Sequence, residues 1–243
     1  MLEGLYSAAA GMAAQQLQLD AVSNDIANVN TDGYKSERVG FEDLLYNRVD
    51  KAGTETTAGA GAAARVIGRS FTQGALKETG NPLDLAIEGE GFLQLRRAGG
   101  ATVLTRNGAL QLNANGQISD AAGNLLDPPV KVPAGVDASE LHIGSDGTIT
   151  AQGKRLGRIA LVTVTAPDHL SPEGGGLLAP NAATGAVRAA SGGHIHQGAL
   201  EDSNVDLGRD MAMMQTAERA FQMNSTAIQT ESQMMAIANQ LRA

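Results

Sequence analysis

Leu5, Met12, Leu19 and Ile26 recur every seven residues near the start of the chain, with Leu2 and Ala9 in a companion row that turns polar at Gln16 and Ser23. A seven-residue apolar repeat runs at about 3.5 residues per turn, the coiled-coil period rather than that of a straight helix. The spacing predicts one helix over 2–29. The other end of the chain repeats the pattern. Leu207, Met214, Phe221, Ile228 and Met235 form an unbroken row, flanked by Met213, Ala220, Ala227, Met234 and Leu241. Asn224 and Glu231 fall between these rows, either exposed at the edge of a seam or buried where an amide fixes register. Ser203 and Asp206 carry the Ser-x-x-acid spacing of a capping box and mark the helix start.

Between the ends the period changes. From Asn30 to about Ser70 the pattern decays: "FEDLLYNRV" holds a short apolar cluster, and "DKAGTETTAGAGAAA" reads as a flexible connection. From Phe71 to Ala199 the texture is all-β. "LDLAIEGEGFLQL" predicts two strands around Gly89 and Gly91, and "VLTRNGALQLNANGQIS" three strands parted by Asn107-Gly108 and Asn115-Gly116. Asp146-Gly147 marks a further turn, "RIALVTVTA" reads as the strongest strand, and Glu173 to Gly176 as a glycine-rich loop. The predicted fold is mixed α and β. Terminal helices over 1–35 and 204–243 pair as a coiled coil, 36–70 is an extended connection, and 71–203 is an inserted barrel- or sandwich-like β domain. The apolar stripes must bury against each other, against another copy, or both.

Composition narrows the classes of partner. Seven aromatic residues and thirty glycines in 243 residues point to short strands and turns rather than a thick aromatic core. With no cysteine there is neither a disulfide framework nor zinc-finger spacing. A net charge of −8 argues against nucleic acid or an anionic membrane as partner. No apolar run approaches the ~20 residues that cross a bilayer, so no direct membrane insertion is expected. The opening "MLEGLYSAAAGMAAQQLQLD" lacks a basic leading segment and an apolar core, so a cleaved signal peptide is not expected either.

Signals for chemistry are poor. His194 and His196 alternate, so on a strand they share a face, but nothing completes a metal site. Gly89-x-Gly91 lacks the third glycine and the following helix of a phosphate loop. The serines have no nucleophile-elbow context, and Asp202 with Asp206, or Glu42 with Asp43, read as solvated charges. No catalytic residue, metal or cofactor is predicted, and an enzyme ranks last. Methionines at 211, 213, 214, 223, 234 and 235 fit an adaptable groove or core filling equally well.

One stretch breaks the helical logic. "SNDIANVNTDGYK", Ser23 to Lys35, closes an amphipathic helix with poor helix formers at Asn24, Asp25, Asn28 and Asn30. This stretch resembles, nearly position for position, the signature of the bacterial flagellar basal-body rod and hook proteins. Ser23, Asn24, Ala27, Asn28, Asn30, Thr31, Gly33, Tyr34 and Lys35 carry the likeness. "TGNPLDLAIEGEGFLQL", "LTRNGALQLNANGQI" and "LEDSNVDLGRDMAMMQTAERAFQMNSTAIQT" resemble further motifs of the same family, while 150–195 matches none. The resemblance implies an inner layer of paired terminal helices around an export channel and an outer β layer. It implies a structural subunit that assembles with its own copies and with other rod and hook proteins, outside the cytoplasm, after passage through the flagellar export apparatus. Length and the segment after the signature are most like the distal-rod type, with the proximal-rod type next. The expected assembly interface is Leu5, Met12, Leu19, Ile26, Leu207, Met214, Phe221, Ile228 and Met235. The asparagines would offer amides to backbone or neighbours, and Gly33 would take positive φ where the helix stops. A bendable hook subunit, and a ligand-binding β module with helical dimerisation arms, are the competing readings.

Overall fold

A computed structural model of the chain describes residues 2–44, 47–51, 54–59 and 61–242. Two helices enclose a β-rich middle in sequence: α1 (Leu2–Ala27) and α2 (Leu207–Arg242). The chain divides into a helical unit, Met1–Ala27, Glu37–Ile67 and Asp206–Ala243, and a β unit, Asn28–Ser36 and Gly68–Val205. The segment expected to close the helix, residues 28–36, therefore belongs with the β unit, and most of the expected connection belongs with the helices.

In the helical unit, α1 and α2 pack together and run antiparallel, because Gly4 lies against Glu231 and Gly11 against Asn224. α2 starts one residue after its cap. Asp206 Oδ1 accepts the N–H groups of Gly208 at 3.0 Å and Arg209 at 3.1 Å. Ser203, expected to share a capping box, instead turns its hydroxyl to the Val205 N–H at 3.3 Å. The extended connection, 36–70, is strand-forming: β1 (Glu37–Asp43) pairs with β4 (Ala62–Arg69), and β2 (Asn47–Lys51) with β3 (Thr54–Ala58). Local composition misses this because the β1–β4 ladder joins segments that are not neighbours in the chain.

The β unit holds β5 (Leu76–Glu78), β6 (Leu85–Glu88), β7 (Phe92–Arg96), β8 (Thr102–Thr105), β9 (Gln111–Leu112), β10 (Ile118–Ser119) and β11 (Leu125–Leu126). It continues with β12 (Leu141–Ile143), β13 (Thr148–Ala151), β14 (Lys154–Arg158), β15 (Leu161–Thr163), β16 (Ser171–Gly174), β17 (Leu177–Ala179), β18 (Arg188–Ala189), β19 (His194–Gln197) and β20 (Ala199–Glu201). Its main sheet runs β16-β17-β8-β7-β11-β10-β9, and β7 pairs with β15 as well, so the sheet branches and curls into a half-barrel. Leu85, Ile87, Leu93, Leu95, Ile118 and Ile149 fill one shared core from alternate strand positions. A second cluster gathers Phe92, Leu104, Val162, Val164, Leu170 and Leu178.

Three local expectations change. "RIALVTVTA" is not one strand, because the Ile159 N–H bonds to Gly147 O at 2.8 Å and breaks the run between β14 and β15. Of the glycine-rich loop Glu173 to Gly176, only Gly175 and Gly176 form the turn, and Glu173 and Gly174 end β16 of the β16–β17 hairpin. Asn107-Gly108 is no hairpin turn: Gly108 keeps negative φ, and a side chain there would strike Leu85 O at 1.7 Å.

Anchored signature and candidate assembly surfaces

α1 stops at Ala27, and the chain turns at once: the Thr31 N–H bonds Asn28 O at 3.1 Å and the Thr31 hydroxyl bonds Asn28 Oδ1 at 3.2 Å. Gly33 follows at φ +69°, six residues past the helix, so it does not cap α1. Its N–H donates to Glu201 O at 2.6 Å, and a side chain there would lie 2.6–2.8 Å from backbone atoms of Arg106 and Asn107. Gly33 is needed for close approach as well as for its left-handed backbone.

Lys35, Glu201 and Arg106 meet in the interior. Lys35 Nζ lies 2.6 Å from Glu201 Oε1 and donates to Thr72 O at 2.8 Å. Arg106 reaches Glu201 Oε2 at 3.3 Å and Gly89 O at 2.8 Å, with its guanidinium 5.6 Å from the Phe92 ring centroid. Glu201 Oε1 also accepts the Gly74 N–H at 2.9 Å. All three charged side chains are buried. Burial holds the Lys35 pKa below the ordinary lysine range, although the hydrogen bond and charge of Glu201 pull it upward.

A second clamp lies beside the first. Asn204 Oδ1 accepts the Ser36 N–H at 2.8 Å, while Nδ2 donates to Ser70 O at 2.7 Å and Thr72 Oγ1 at 3.0 Å. Tyr34 is buried, with the Arg69 guanidinium 5.7 Å from its ring centroid. The second half of the signature is thus pinned by residues from each of the other three motifs: Gly89, Arg106, Glu201 and Asn204. The pattern of the sequence marked Gly89 only as a break between strands and left Arg106, Glu201 and Asn204 unassigned. A single Glu ending an apolar strand, "HIHQGALE", is the signal that could have found one. Upstream, Ser23, Asn24, Ala27 and Asn30 face solvent, while Asp25 is buried and its Oδ1 accepts the Glu37 N–H at 3.1 Å.

The seam between α1 and α2 is small and polar at its centre. A methyl group added at Gly11 would stand 2.9 Å from Asn224 Nδ2, and one at Gly4 2.8 Å from Glu231 Oε2. Two glycines seven residues apart therefore receive two polar side chains seven residues apart. Ala14, Ala21 and Val22 on α1, and Asp210 and Ala217 on α2, complete the buried face. The seven-residue apolar rows run beside this seam. Leu5, Met12, Leu19, Ile26, Met214, Phe221, Ile228 and Met235 are half-buried and Leu207 is exposed. Tyr6, Met211, Met223, Met234, Ile237 and Leu241 are more exposed still. Asp210 Oδ2 has no hydrogen-bond partner among the described residues, and burial raises its pKa above the usual carboxylate value.

His194 and His196 share an exposed face of β19, and His196 Nε2 meets Glu88 Oε2 at 2.6 Å. Among the described residues no three His, Cys, Asp or Glu side chains gather in a metal-binding group, and no helix is long and apolar enough to cross a membrane.

Paired end helices with exposed apolar flanks, joined in sequence to an inserted curled-sheet unit, define a class of structural subunit. Residues 5–35 match the family described as flagella basal body rod protein. Residues 86–151 match the flagellar hook protein FlgE/F/G D1 domain, and 196–241 the flagellar basal body rod FlgEFG protein C-terminal region. The chain is 35% identical to the flagellar basal-body rod protein FlgG of Caulobacter vibrioides, over 100% of both chains. It is 33% identical to that of Borreliella burgdorferi, over 100% of this chain and 99% of the relative. The flagellar basal-body rod protein FlgF of Mesorhizobium japonicum is 28% identical over 96% of this chain and 94% of its own. The chain belongs to the flagellar basal-body rod protein family. It is a structural rod subunit of the basal body, and membership implies assembly with itself and with other rod and hook proteins.

Proposed function

We propose that this chain builds the distal part of the rod, as a helical tube that transmits torque and encloses the export channel, lined by α1 and α2. The observation that carries the reading is the unfilled apolar surface. Both helices keep their seven-residue rows half-exposed after pairing, because Gly4, Gly11, Asn224 and Glu231 occupy the seam. Surface of this kind on neighbouring subunits is covered by lateral contact. The relatives named FlgG, at 33–35% identity against 28% for the FlgF relative, support the distal position. Delivery by the flagellar export apparatus, without a cleaved signal peptide, belongs to the same reading. So does the absence of catalysis: Lys35, Arg106 and Glu201 are buried, and Lys35 is held by Glu201 and the Thr72 carbonyl.

The test substitutes Ile26→Asp and Phe221→Asp, one on each row. Each places a charge where a neighbouring copy would desolvate it, at several kcal/mol per contact. Motility and rods in isolated basal bodies should be lost, with secreted protein unchanged. Normal rods in both variants would refute the lateral-contact reading, and a curved tube assembled from the wild-type chain would favour a hook-like subunit instead.

A further inference from the structure

α2 outruns α1. Gly4 packs against Glu231, so Leu2 falls about half a turn past that point, and the last turns of α2 continue beyond it. These turns carry Met234, Ile237 and Leu241, one stripe at helical spacing, exposed to 51%, 57% and 84%. From Ser232 to Leu241 there is no Asp, Glu, Lys or Arg. Such a stripe buries without stripping water from a charge.

The other end of the same helix pair holds a matching recess. A groove of about 460 Å³ opens where α1, β1 and the start of α2 meet, lined by Gln15, Gln18, Phe41, Arg209, Met213 and Ala217 among others. Phe41 is half-exposed on its wall, and Arg209 supplies the charge of its lining. Met213 and Ile237 are about 36 Å apart along α2, at 1.5 Å per residue. The tail of a chain therefore cannot enter that chain's own groove.

We infer that the overhanging stripe Met234–Ile237–Leu241 of one copy docks in the Phe41–Met213 groove of a second copy, as a head-to-tail contact along the helix pair. The inference rests on the self-assembly reading and names its axial contact. Charge supports the pairing. The C-terminal end of α2 presents unsatisfied carbonyls and the negative pole of the helix, and the groove offers Arg209 beside the positive N-terminal pole of the next α2. Two charges oppose this arrangement taken singly, Asp206, which caps that N-terminus, and Arg242 beside Leu241 at the tail, and they are opposite in sign to each other. A contact between two different surfaces does not close on itself and so propagates.

The chain has no cysteine, so engineered thiols report the contact cleanly. Full-length Ala212→Cys and Ile237→Cys chains, both altered at exposed positions, are mixed, assembled at rising concentration and oxidised. The expected result is a mixed dimer from the two single variants and a ladder of oligomers from the doubly substituted chain. In parallel, Ile237→Asp should raise the concentration needed for assembly at least tenfold without changing its helix content. Polymers that give only like-with-like dimers, or no cross-link, overturn the inference and leave self-assembly standing. No polymer at any concentration overturns the assembly reading, and this inference with it.

Discussion

Lys35 Nζ and Glu201 Oε1 lie 2.6 Å apart with both side chains shut away from solvent, although 166 positions separate them in the chain. The pair ties the end of the signature to the last strand before α2. Arg106 shares the same carboxylate, so two cations depend on one anion. That imbalance makes Glu201 the member whose loss matters most.

Glu201→Gln should destabilise the β unit by about 3–5 kcal/mol, since it leaves two buried cations without their anion. Lys35→Met should cost less, because Arg106 still pairs with Glu201. Replacing Lys35 by Met, Arg106 by Met and Glu201 by Leu together should recover much of the loss. Urea unfolding followed by hydrogen exchange at the Ala199–Glu201 amides measures the order of effects. A triple variant weaker than Glu201→Gln would refute the account.

Gly33→Ala and Gly80→Ala separate backbone strain from close approach. Both glycines sit near φ +70°, but nothing lies within 4 Å of a side chain added at Gly80. Gly80→Ala should cost about 1–2 kcal/mol, the left-handed penalty alone. Gly33→Ala should cost distinctly more, because Arg106 and Asn107 backbone must move. Equal shifts in the unfolding midpoint would show that the contact is relaxed at no cost.

Asp210 gives a pH prediction. Burial raises its pKa in the folded chain, so the folded chain keeps a proton that the unfolded chain has released. Stability from this group is full below the ordinary carboxylate pKa and is lost as pH rises through the raised value. Asp210→Asn, which does not titrate, should therefore exceed the wild type at neutral pH, by about 0.5–1 kcal/mol after the lost helix-dipole term. The gap should shrink in acid. Helix melting followed by circular dichroism from pH 3 to 8 reads this directly, and a gap that widens in acid would contradict it.

Gly11→Leu should separate the helices, because a large side chain has to displace Asn224 from the seam. Ala13→Leu, exposed two residues on, is the control and should leave helix content unchanged. A loss of helix signal on the order of the α1 contribution is expected for the first variant only. Equal signals would place the seam elsewhere.

Periodicity alone located both helices, and turn dipeptides with alternating residues identified the β middle, because these features follow from side-chain spacing within short segments. The quoted signature was visible as an anomaly, and its likeness to the rod and hook proteins pointed to the family. Three things needed the tertiary structure. The apolar rows are the loudest pattern in the helices, yet Gly4, Gly11, Asn224 and Glu231 meet at the seam, since an interhelical contact depends on which faces turn toward each other. The stretch 36–70 read as an extended connection, flexible over "DKAGTETTAGAGAAA", yet its strands pair, since a ladder is a relation between separate segments. Lys35 was legible only as the last residue of the signature, and only the fold shows why it is buried. Its counter-charge lies at the far end of the β unit, and a buried ammonium is stable there only because chain folding brings the Glu201 carboxylate and the Thr72 carbonyl to the same point.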